Sequence, residues 1–231
     1  MRRVMLAGVL CAAAVSAHAT TIPVTFTQLT GITGGSPAGT AVYIADLSSI
    51  GIGQISSVTI QDNSGGLGGS TGQFSGFDLD AIVLSTTLIS DATQVGTLVR
   101  TGTFDFATSV FVAGSQRPPP DPALFGTSGG QVDNSVATLD AFDGNSTTAI
   151  PGAAGFVSLG DGGILSENLT SPVPTGSPLY LYIGEVGNNG EVAASSITVS
   201  SERVVPEPAT IAVLSVGLGG LGWLRRRRKS V

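Results

Sequence analysis

Apolar and polar residues alternate in short runs along most of this chain, and Gly, Pro, Asp, Asn or Ser ends each run within a few positions. Leu179, Leu181 and Ile183 alternate with Tyr180 and Tyr182, Val58 and Ile60 with Ser57, Thr59 and Gln61, and Ile197 and Val199 with Ser196, Thr198 and Ser200. Residues two apart share a face of a strand, so each run can bury one side only. Further runs fall at residues 24–29, 41–47, 81–86, 103–112, 136–142 and 155–159. Nine short runs without a long helical stripe predict an all-β domain over residues 20–199, an antiparallel β-sandwich or jelly roll. Residues 91–100 are the one stretch that reads as a helical turn, and no tandem repeat is evident.

Residues 20–205 contain no Cys, His, Trp, Lys or Met. A Ser-His-Asp triad, a Cys-His pair, a His-ligated zinc site and a disulfide are therefore excluded there. Fifteen acids face three arginines, Arg100, Arg117 and Arg203, a formal charge of −12 that repels nucleic acid and anionic lipid. The tract from Ser64 to Ser70 is glycine-rich but does not have phosphate-loop spacing, and residues 116–122, with three consecutive prolines, read as a stiff extended crossover.

The sharpest local pattern runs from Phe74 to Ile82. In a strand, Asp78 and Asp80 project side by side while Phe77 and Leu79 take the buried face. Two neighbouring carboxylates repel unless solvated or bridged, and Ca²⁺ would bridge them, with Asp62 and Asn63 adding oxygens; otherwise they are two exposed acids on a sheet surface. Asp140, Asp143-Gly144-Asn145 and Asp161-Gly162-Gly163 read first as turns. Asn145 and Asn168 match the N-glycosylation pattern by composition alone. A glycosidase would use a facing pair from Glu167, Glu185 and Glu191. Without Trp, a sugar would stack on Tyr43, Tyr180 or Tyr182, the last two sharing one face; sheet packing is the ordinary role of such residues. No cofactor beyond Ca²⁺ is implied, and an enzyme is not expected.

The ends carry signals. Met1-Arg2-Arg3, an apolar run over 4–15 and Ser16-Ala17-His18-Ala19 make a signal peptide over residues 1–19, with Ala17 and Ala19 framing cleavage before Thr20. The run is too short for a spanning anchor, the arginines lack a twin-arginine pattern, and Leu10 is too large to precede a lipidated Cys11. The Sec translocon is the expected exporter. At the other end, residues 200–208 read as a short linker ending in Pro206-Glu207-Pro208. Residues 209–224 are uncharged, about 24 Å as a helix, and read as a single transmembrane span. The basic tail, residues 225–231, holds Arg225, Arg226, Arg227, Arg228 and Lys229 on the cytoplasmic side.

Pro206-Glu207-Pro208, a short Gly- and Leu-rich apolar helix and a terminal arginine cluster, in that order, resemble the PEP-CTERM sorting signal of bacterial proteins processed by exosortase. The resemblance implies export by a Gram-negative bacterium, transient anchoring in the inner membrane, cleavage near Pro206-Glu207-Pro208 by an exosortase-type protease or transpeptidase, and delivery to the cell surface. An uncut C-terminal anchor is the alternative. The segment from Gly76 to Ala81 also resembles segments in surface proteins bearing this tail. The expectation is a non-enzymatic structural or adhesive component of biofilm or exopolysaccharide; the alternatives are a carbohydrate-binding module and, last, a glycoside-active enzyme.

Overall fold

A computed structural model describes residues 20–146, 155–176, 178–191 and 197–205. The expected signal peptide, the Pro206-Glu207-Pro208 triplet, the span at 209–224 and the basic tail lie outside the described residues. Among the described residues no helix is long and apolar enough to cross a membrane.

Fourteen strands are described. The first five are β1 (Thr21–Pro23), β2 (Thr27–Gln28), β3 (Pro37–Ala38), β4 (Thr40–Asp46) and β5 (Gln54–Gln61). Then come β6 (Asp78–Ser85), β7 (Val110–Val112), β8 (Thr127–Ser128), β9 (Gln131–Val132) and β10 (Asn145–Ser146). The last are β11 (Val157–Ser158), β12 (Ile164–Pro174), β13 (Tyr180–Val186) and β14 (Ile197–Ser200). Two five-stranded sheets, ordered β1-β14-β5-β12-β7 and β11-β6-β13-β4-β2, are antiparallel throughout.

The expected alternation builds the core. Leu181 and Ile183 of β13 turn inward with Leu79, Ile82 and Leu84 of β6, and meet Val58 and Ile60 of β5, Leu165 of β12 and Val199 of β14. Each such side chain contributes about 1.5–3 kcal/mol by leaving water. β6 keeps both Leu79 and Ile82 inside by bulging: Ile183 pairs with Ile82 but Glu185 pairs with Leu79, leaving Asp80 and Ala81 opposite Gly184.

The second sheet is covered on its outer face as well. Val42, Val83 and Tyr182 pack there under Ile89 and Ala92. Ala92 opens a 3-10 turn, Ala92–Thr97, within the stretch expected to be helical, and Asp91 caps it by accepting from Thr93 N at 2.9 Å. Every position of β6 is consequently buried.

Four stretches depart from the sequence reading. Residues 136–142, expected as a strand, start inside a short helix α1 (Asn134–Ala137), capped by Asp133, and continue as a turn. Residues 103–112 divide into an isolated bridge from Phe104 to Leu169, a 3-10 turn at Phe106–Thr108 and β7. β12, the longest strand at 11 residues, was not expected at all. The stretch 200–204 is not a free linker: Ser200 ends β14, and the Val204 amide donates to Asn168 Oδ1 at 2.8 Å.

Candidate functional site

Phe77 and Leu79 enter the core, as the alternation requires, which puts Asp78 and Asp80 together on the other face of β6. That face is not a surface: Asp78 is 5% exposed and Asp80 0%. The Ser158 hydroxyl of β11 donates to Asp78 Oδ1, the Thr40 hydroxyl donates to Asp80 Oδ2, and the Gly144 amide donates to Asp80 Oδ1 at 2.9 Å. The reading of two exposed acids is corrected by these partners and by the crossovers lying on the sheet. Burial pushes Asp80 up to about 8, with Asp143 beside it acting the same way and Thr40 opposing.

A larger acidic group closes one end of the sandwich. Glu185 follows Ile183 on the inward face of β13, and after the turn at residues 187–190 the chain presents Glu191. Arg117, at the head of the proline run, reaches Asp161 at 3.1 Å and Glu191 at 3.3 Å. Asp62, just past β5, accepts from the amides of Phe77 and Gly162, each at 2.9 Å. The glycine tract lies directly over Glu191: a Cβ at Gly69 would overlap its carboxyl, so only glycine permits the approach.

The group is electrostatically crowded. Glu185 is fully buried, and among the described residues neither of its carboxyl oxygens has a hydrogen-bond partner, nor does Glu191 Oε2. Burial, then the Glu191 charge, pushes Glu185 up to about 8, while the amides of Asn188 and Asn189 pull the other way without reaching full hydrogen-bond geometry. Burial lifts Glu191 to about 8 despite Arg117, and burial followed by the charges of Glu191 and Glu185 holds Asp78 well above the usual carboxylate range. One guanidinium cannot neutralise this set, so protons do so near neutral pH. Among the described residues no group of three or more His, Cys, Asp or Glu side chains is arranged to hold a metal ion.

The three glutamates considered for glycoside chemistry separate. Glu185 and Glu191 interact at the closed end, whereas Glu167 on β12 is buried with Ser109, whose hydroxyl donates to Oε2 at 2.6 Å, and burial raises it to about 8. Tyr180 and Tyr182 lie 6.5 Å apart between ring centroids, but Tyr182 is 0% exposed. Its hydroxyl accepts from Ile89 N at 3.1 Å and donates to Thr87 O at 2.9 Å. Tyr182 therefore offers no open ring face for stacking. Tyr180 lines a surface groove of about 500 Å³ with Pro23, Ile44, Asp46, Ile50 and exposed Leu88. Tyr43 packs against the core. Asp143 accepts from the Thr138 hydroxyl at 3.1 Å, and Asp140 lines a separate cavity of about 430 Å³ with Arg100. The role of Arg117 was missed from sequence; its being one of only three cations in residues 20–205 was the available signal.

The family model for the PEP-CTERM protein-sorting motif matches residues 204–229. The motif indicates export and sorting to the cell surface by exosortase, a membrane enzyme. No curated protein and no solved structure matches the chain.

Proposed function

We propose that this chain is a non-enzymatic surface or matrix protein of a Gram-negative bacterium: a β-sandwich passenger held briefly in the inner membrane, released by exosortase, and used as a structural or adhesive component in exopolysaccharide. The sorting motif carries the reading, because it begins at Val204, four residues past Ser200 at the end of β14, the last described strand, and so addresses the whole sandwich. The buried carboxylates support a structural role, since their oxygens point into packed protein and not into the clefts lined by Tyr180 or Arg100. The test is the intact mass of the protein recovered from the surface and medium of its native host, together with fractionation of the matrix. A mass beginning at Thr20 and ending near Pro206, with enrichment in the polysaccharide fraction, is expected. A mass running through Val231 would replace release with permanent anchoring.

A carbohydrate-binding module is the second reading, favoured by the Tyr180 groove, where an aromatic side chain sits beside Asp46 and exposed Leu88. Saturable binding on a glycan array that Tyr180→Ala abolishes would select it. Binding untouched by that change, or absent, leaves the structural reading.

A further inference from the structure

The first residue of the sorting motif is bonded to the sandwich. Val204 N donates to Asn168 Oδ1 at 2.8 Å, and Asn168 Nδ2 donates back to Val204 O at 2.9 Å. Asn168 is buried on β12, where its Nδ2 also reaches Thr108 O at 3.2 Å, so the amide is held in place by a second element. Arg203 adds a second hold: its guanidinium donates to Leu169 O at 2.9 Å and Thr108 Oγ1 at 3.1 Å, and pairs with Asp105 at 3.3 Å. Behind these, Ser56 and Ser57 of β5 donate to the carbonyls of Ser201 and Glu202, each at 2.7 Å. Residues 201–204 are thus fastened one after another, and Val205 alone separates this clasp from Pro206 in sequence.

A protease or transpeptidase cleft binds several residues before its cut in extended form, with their backbone amides and carbonyls facing the enzyme. The backbone N–H and C=O of Val204 are already committed to Asn168. We infer that the Asn168–Arg203 clasp restrains processing: the sorting enzyme engages the motif fully only when residues 203–204 peel off the sandwich, and the clasp sets how often they do. The inference rests on exosortase processing, and it adds a control that the motif alone does not contain.

The experiment is a pulse–chase of the full-length chain in its native host, following conversion to the processed form by mass. Asn168→Ala and Arg203→Ala are compared with wild type, and thermal melting of the processed domain is recorded for each. Arg203 is exposed and, among the described residues, its side chain bonds only within the clasp, so Arg203→Ala is the variant least able to disturb the fold. Faster conversion is expected, roughly severalfold for Arg203→Ala and on the order of tenfold for Asn168→Ala, which loses both bonds to the Val204 backbone. The melting temperature of the Arg203 variant should stay within a few degrees of wild type. An unchanged rate in both variants would overturn the inference, and a slower rate would show that the clasp presents the motif instead of restraining it. Wild-type protein that is never shortened would overturn the sorting reading itself, an outcome separable from either.

Discussion

Glu185 shows what a single buried carboxyl does to this domain. Its ordinary value of 4.5 rises to about 8 in the folded state, so between these values the native protein holds a proton that the unfolded chain has released. Stability therefore falls as pH rises through that window, and Asp80, Glu167 and Glu191, each lifted to about 8, act in the same direction. Melting temperature should decline steadily from pH 5 to pH 8, the reverse of a protein held by ionised carboxylates. Glu185→Gln keeps the shape and removes the titration, so it should flatten the decline; a melting profile as steep as wild type would show that Glu185 takes no part. Tyr182 is the second residue with a sharp expectation. Tyr182→Phe strands Ile89 N in a buried place and leaves Thr87 O, which is partly buried, without its donor, and urea unfolding should register a loss of about 1–3 kcal/mol.

Elements differ in how openly the sequence declares them. β5, β13 and β14 follow from alternation because one face of each meets the core and turn residues bracket them. β12 hides for two physical reasons. Ser166-Glu167-Asn168 interrupts its apolar period, and Pro172 and Pro174 lie beyond an irregularity where pairing with β5 shifts between Asn168 and Val173. Its importance is testable: Leu165→Ala should cost about 2–5 kcal/mol in chemical denaturation. At the acidic site, the shared face of Asp78 and Asp80 was legible, but their burial was not, because the covering turns come from residues far away in sequence. Close passage of loops was equally invisible. A Cβ on Gly114 would sit 2.5 Å from the Gly160 carbonyl carbon, and no unusual φ complicates that position. Gly114→Ala should lose about 1–3 kcal/mol by overpacking. Gly96→Ala, which among the described residues meets nothing within 4 Å, should be neutral or slightly stabilising in the same measurement.

At the scale of the whole molecule, acids and cations are segregated, with seven of the ten cations at the two ends of the sequence. If sorting runs as proposed, a chain truncated after Val205 should keep the melting temperature of the processed domain and stay soluble inside the outer membrane, lost from both the membrane fraction and the cell surface. Retention in the membrane fraction would mean that something other than the motif holds it. The first and last strands are also neighbours: Thr21 pairs with Ser200, and the Ser201 amide donates to Thr20 O at 3.2 Å. In a chain that crosses a membrane amino end first, β14 is the last strand to emerge, just ahead of the sorting segment. Until then β1 has no sheet to join, and β5 shows an open edge that another copy can invade. Closure of the sheet and emergence of the sorting segment then become one event in time, so the passenger is sheltered from pairing with another copy only once its sorting signal is in place.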